Sequence, residues 1–146
     1  MQQNDVLNQV LVVMGRSLLQ YSADAWPWTG SGAMASRSAV EALIPEQKAH
    51  IAHLADLLDS RGWTIDFGVY PDFTDLHYLS LDFVLPHLIE NQRGIVTEIE
   101  SALPKCAGDP QGVALLNEIL PGERGVLAKL EELSRSKPPA PAQSAA

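Results

Sequence analysis

The sequence predicts an all-α protein, an antiparallel four-helix bundle with a long crossover between its second and third helices. Three observations carry that expectation. Apolar residues recur at alternating three- and four-residue steps over long stretches, the period of helices with one buried face. The breaks between those stretches are two short connections and one long link in the middle, the connectivity of a bundle with one crossover. And two distant stretches repeat: Pro45-Glu46-Gln47-Lys48-Ala49-His50-Ile51-Ala52-His53-Leu54 overlies Pro121-Gly122-Glu123-Arg124-Gly125-Val126-Leu127-Ala128-Lys129-Leu130 without a gap, and Leu57 falls on Leu133. Such a repeat predicts two related helical hairpins facing each other, with equal positions of the copies pointing at a shared centre.

Asp5 caps the expected first helix, whose stripe is Leu7, Leu11, Met14, Leu18 and Tyr21. The turn Trp26-Pro27-Trp28-Thr29-Gly30-Ser31-Gly32 ends it. The second helix is predicted from about Ala35 to Ser60, with Val40, Leu43, Gln47, His50 or Ile51, Leu54 and Leu57 inward, and Gly62 stops it. Residues 63–73 form the long connection; a short strand there would have no obvious partner. Thr74 or Asp75 opens a third helix to about Leu103, and Pro104 to Pro110 is a turn. The fourth helix runs to about Ser134, with Leu116, Ile119, Glu123, Val126, Leu130 and Leu133 on one stripe. Residues 1–135 are thus one bundle domain, and 136–146 a Pro/Ala-rich tail expected to be disordered. Pro45, Pro86 and Pro121 each interrupt a helical pattern, and a proline inside a helix costs about 3 kcal/mol. Each is either a kink or a helix start.

Composition narrows the function classes. With 146 residues the chain can build one sizeable core but not two. A net charge of −8 argues against a nucleic-acid or anionic-membrane partner, because those surfaces need clustered Lys and Arg. The single Cys106 cannot form an intrachain disulfide and is expected in a loop, without a catalytic role. The start of the chain lacks the basic region of a signal peptide, and no apolar run approaches the ~20 residues of a membrane span. A cytoplasmic location is the expectation.

Four inner-stripe positions carry polar groups where leucine is usual: Gln47, His50, Glu123 and, on the third helix, Glu90. Glu90 is placed on the face that Leu79 and Phe83 define. A buried carboxylate is costly unless it is paired, protonated or metal-bound. Two carboxylates and an imidazole from three helices are the kind of set from which bundle metal sites are built. The same groups also suit a hydrogen-bonded cluster, and a helical phase off by one would turn them to solvent. Other candidates are weaker. His53 matches Lys129 in the repeat and is expected at the surface; His77 and His87 share a helix with Glu90, and His87 is close enough in sequence to join it. Trp26 and Trp28 suit a packing plug better than a binding platform. There is no Gly-rich phosphate loop and no Cys pair for zinc.

The chain resembles the ferritin-like superfamily, and within it the bacterioferritins. Leu7-Asn8-Gln9-Val10-Leu11 and Leu19-Gln20-Tyr21 look like that family's first helix; Leu115-Leu116-Asn117-Glu118-Ile119-Leu120, Glu123 and Leu130-Glu131 look like its fourth. The resemblance implies a di-iron site with a glutamate from the first and third helices and Glu-x-x-His from the second and fourth. Carried across, the first-helix glutamate falls on Met14, the second-helix pair on Gln47 and His50, the third-helix glutamate on Glu90, and the last pair on Glu123 and Val126. Half of the ligands are therefore replaced, and the remaining carboxylates are too few to balance two irons. Tyr21 would stand near the centre.

Three readings follow. The first is a ferritin-like protein that has lost most di-iron ligands and acts as a non-catalytic scaffold or interaction module, with no cofactor. The second is a mononuclear metal-binding or redox protein holding one iron, manganese or zinc on His50, Glu90 and Glu123. The third, a metal-dependent hydrolase or transferase using His50 with His77 or His87, is weakened because no two histidines stand at the i, i+4 spacing. Val12, Val13 and the Trp26/Trp28 loop leave apolar surface beyond one core stripe, which predicts a homodimer.

Overall fold

The computed structural model describes residues 2–27, 29–30, 34–76 and 79–136. Among them the chain is all-α, with four long helices and a short one: α1 (Gln2–Gly15), α2 (Leu18–Ser22), α3 (Met34–Ser60), α4 (Leu81–Lys105) and α5 (Pro110–Ser136). No described helix is long and apolar enough to cross a membrane. The Pro/Ala-rich tail after Ser136 lies outside the described residues, as do Trp28 and His77.

The four long helices pack in a ring, α1 against α3 and α4, and α5 against the same two. Their inward faces form two apolar clusters. One gathers Leu7, Leu11 and Met14 of α1, Leu54 and Leu58 of α3, Ile95 and Ile99 of α4, and Leu116 and Ile119 of α5. The other gathers Leu18, Leu19, Val40, Leu43, Leu85, Leu88, Val126 and Leu130. Burying each such side chain contributes about 1.5–3 kcal/mol, which is what holds helices of modest intrinsic propensity together.

The first predicted helix is two. Its ladder stops at Gly15, and Ser17, in extended geometry (ψ 162°), restarts it by accepting from the Gln20 amide. The freed Leu18 N–H donates to Asn91 Oδ1 of α4 at 3.0 Å, so the break is pinned across the bundle. Gly62 (φ 70°) does end α3: its N–H bonds Asp59 O, and Trp63 N–H bonds Leu58 O, the paired pattern of a left-handed cap. α4 starts later than expected, because Thr74–Leu76 form a separate single 3-10 turn. Pro45, Pro86 and Pro121 all sit inside continuous helices and start none of them. Cys106 is the C-cap of α4 and fully buried; burial pushes its thiol up from the ordinary value.

The long connection lies along α1. Asn8 clasps its backbone, donating to Asp66 O at 2.7 Å and accepting from Asp66 N–H at 3.0 Å. Arg16 Nε donates to the carbonyls of Phe67 and Gly68. Gly68, at φ 69°, comes so close that a Cβ there would stand 2.6 Å from Val12 Cγ1. This contact takes up part of the Val12 side chain, which stays half-buried beside the chain's own connection. Val13 packs partly into the first cluster.

Candidate functional site

Between the two apolar clusters lies a layer of polar side chains contributed by every long helix except α1, whose place is taken by the α1–α2 break. Gln47 of α3 and Glu123 of α5, equal positions of the repeat, are both fully buried. Gln47 Nε2 donates to Glu123 Oε1 at 2.8 Å and to Gln92 Oε1 at 3.2 Å. Gln92 of α4 in turn donates from Nε2 to Glu123 Oε1 at 2.8 Å and to the Glu123 carbonyl at 3.0 Å. Gln47 Oε1 accepts from Ser17 Oγ at 2.9 Å and from Gln20 Nε2 at 3.1 Å. His50 Nδ1 closes on Glu123 Oε2 at 2.5 Å.

Backbone acceptors fix the direction of the Gln20 and Gln92 amides. Gln20 Nε2 also donates to Ile44 O, and Gln92 Nε2 to Glu123 O; a carbonyl can only accept, so both amides are oriented. Gln47, lying between them, must turn its oxygen to Gln20 and its NH2 to Glu123. The Glu123 carboxylate thus collects two amide N–H donors on one oxygen and an imidazole N–H on the other. Those donors offset the desolvation of a charge taken out of water, and among the described residues His50 supplies the only imidazole in contact with it. The His50 side chain is 18% exposed, at the edge of the layer, with its ring over Gly122.

The set predicted from the sequence assembles in part. His50 and Glu123 meet. Glu90 does not join them: its side chain is 79% exposed and sits 3.5 Å from Arg93. The physical reason is helical phase. Leu79 precedes α4 and Phe83 is 69% exposed, so the face they define points outward. The inward stripe is Leu81, Val84, Leu85, Leu88, Gln92, Ile95 and Ile99, and Gln92 occupies the place expected of Glu90. The metal triad His50, Glu90 and Glu123 is therefore not brought together, and among the described residues no three His, Cys, Asp or Glu side chains form a metal-binding group. The donor set does not suit a cation either, since the amides aim N–H groups, not oxygens, at the carboxylate. Met14 and Val126 are fully buried in the two clusters. Tyr21 meets Tyr70 edge-on and Phe73 at a tilt. His87 is exposed, and His53 makes an exposed contact with Glu118 at 3.6 Å.

Sequence reasoning missed Gln92, Gln20 and Ser17. Gln92 had a signal: an amide on the Leu85, Leu88, Ile95, Ile99 stripe. So did Ser17, a capping residue two positions after a glycine.

No protein-family model, no curated protein and no solved structure matches the chain.

Proposed function

We propose that this chain is a ferritin-like bundle in which a hydrogen-bonded layer stands where relatives hold metal, and that it serves as a non-catalytic scaffold or interaction module. The observation that carries this reading is the Glu123 carboxylate, fully buried and saturated by Gln47, Gln92 and His50. In such a layer the Ser17 hydroxyl is committed to Gln47 and both Glu123 oxygens are taken up by N–H groups. The layer specifies register, because each amide has one partner set and a slid helix would strand several buried donors. The antiparallel arrangement with a crossover belongs to the same reading. Its support is Arg61, at the end of α3, which reaches Asn4 near the start of α1 and Asp109 at the start of α5. A homodimer is also part of it, supported by Phe67 and Val69, exposed at 52% and 84% on the connection; a monomer by light scattering at micromolar concentration removes that part.

The test is elemental analysis of protein purified without chelators or added metal. The scaffold reading expects no iron, manganese or zinc approaching one per chain. A near-stoichiometric metal that is lost on Glu123→Gln would overturn it in favour of a mononuclear centre.

A further inference from the structure

On the outer side of the α1–α2 break is a cavity of about 250 Å³, walled by α1, α2, α3 and the long connection. Its apolar lining comes from Leu11, Ile51 and Phe67, and Tyr70 adds a ring. Two cations, Arg16 and Lys48, face the same space.

Among the described cations Arg16, Lys48, Lys105 and Arg135 have no carboxylate within ion-pair distance, and two of these four face this one cavity. The chain carries 18 acidic residues against 10 basic ones. Arg37, Arg61, Arg93, Arg124 and Lys129 each have a carboxylate within ion-pair distance. Neither Arg16 nor Lys48 forms an ion pair among the described residues. Arg16 spends only Nε, on the Phe67 and Gly68 carbonyls, and holds its guanidinium over Tyr70, with Cζ 4.8 Å from the ring centre. Its terminal nitrogens make no hydrogen bond among the described residues. The guanidinium is thereby fixed in place with donors to spare, and preorganised donors lose little entropy when they take up an anion. Asp24 also lines the cavity and pairs with neither cation. It leaves the site a net single positive charge and disfavours a ligand with several negative ones. The volume is below the ~300–1,000 Å³ of sites for drug-sized molecules.

We infer that this cavity binds a small monocarboxylate with an apolar tail, the carboxylate between Arg16 and Lys48 and the tail on Leu11, Ile51 and Phe67. The site shares Gln20 with the polar layer but needs neither Glu123 nor His50, so its failure and that of the scaffold reading are separable.

Benzoate and hexanoate are the probes, titrated into the full chain by calorimetry, with benzyl alcohol and hexylamine as neutral and cationic counterparts. The expected result is saturable binding of both acids, weaker binding of the alcohol and none of the amine. Lys48→Gln, at an exposed position, should weaken benzoate about fivefold, the upper end for a solvent-accessible ion pair. Gly15→Leu tests the cavity itself, because Gly15 lines it, a Cβ built there meets nothing within 4 Å, and the added side chain takes up room with both cations intact. It should abolish binding. The inference is overturned if the alcohol or amine binds as tightly as benzoate, or if Gly15→Leu, folded by circular dichroism, binds benzoate unchanged. Should that variant not fold, Lys48→Gln together with Lys48→Glu decides: an unchanged benzoate affinity in both overturns it.

Discussion

The two copies of the repeat place the same backbone positions at the centre of the bundle and fill them with complementary side chains. α3 offers Gln47 and His50, α5 offers Glu123 and Val126, and the first members of each pair bond each other directly. An amide can donate to a carboxylate without help; two carboxylates in those places would repel and need a cation between them. On the proposed scaffold reading, the difference teaches how complementary side chains take the place of a central ion. One copy keeps the acceptor, the other supplies donors, and one imidazole is enough because only one buried carboxylate has to be served. On either side of this layer the copies are alike: Leu43 with Ile119 and Leu54 with Leu130 are all fully or nearly fully buried.

The most damaging way to break the comparison is to remove the acceptor. Glu123→Ala takes one acceptor from each of the Gln47 and Gln92 amides and the only carboxylate partner of His50 Nδ1 among the described residues, and loss of one partner from such a buried pair costs about 3–5 kcal/mol. For a chain of this size that lowers Tm by roughly 10 °C or more, measured by thermal unfolding. An unmoved Tm would mean the layer contributes nothing. Next in size is to make the copies identical. Gln47→Glu puts a second carboxylate against the first, at a cost of about 2–3 kcal/mol. It also completes a Glu-x-x-His on α3, so added zinc or manganese should restore the Tm of this variant and leave that of the native chain unmoved. A Gln47→Glu protein as stable as the native one, without metal, would refute the role given to the amide.

The repeat made part of this layer legible. Its ungapped alignment ties the phase of α3 to that of α5 and turns Gln47, Glu123 and His50 or Ile51 inward; Gln47 and Glu123 are fully buried and His50 lies at the edge of the layer. α4 has no copy to check against, and Leu79 and Phe83, the apolar residues that set its expected phase, are not on the core stripe. A single exposed phenylalanine was enough to exchange Gln92 for Glu90. The course of the connection was not legible at all. Asn8, Arg16 and Gly68 dock it on α1 through backbone carbonyls, and nothing in the side-chain pattern of residues 63–73 encodes where a carbonyl will land.

A second polar pair, outside the repeat layer, gives a contrast in pH. Arg61 forks onto Asp109 with bonds of 2.7 and 2.8 Å and holds its carboxyl below the usual carboxylate range. A depressed folded value means the contribution is present above the unfolded value, about 3.9, and is lost as pH falls through the folded one. Asp109→Asn should therefore cost about 1–2 kcal/mol at neutral pH and flatten the loss of stability below about pH 4. Denaturant midpoints measured across that range check it; an acid limb as steep as the native one would assign the limb to other carboxylates.

The smallest effect isolates His50. Gly122 lies under its ring, where a Cβ would come within 2.5 Å of Cε1, whereas a Cβ on Gly125, in the same helix, meets nothing within 4 Å. Its counterpart in the other copy, Glu46, is exposed, so the glycine is what admits the imidazole to Glu123. Both glycines are helical, and replacing either by alanine should gain about 0.8–1 kcal/mol in helix propensity. Gly125→Ala is expected to show that gain. Gly122→Ala must also push the ring off its carboxylate, and a hydrogen bond to a charged group is worth about 1.5–3 kcal/mol before any discount for the exposed edge of the ring. Its net effect should therefore fall between zero and a loss of about 1 kcal/mol. The difference between the two variants measures the His50–Glu123 bond, and in a His50→Ala background it should vanish. Equal gains from both glycines in the native background would show that His50 contributes nothing to holding Glu123.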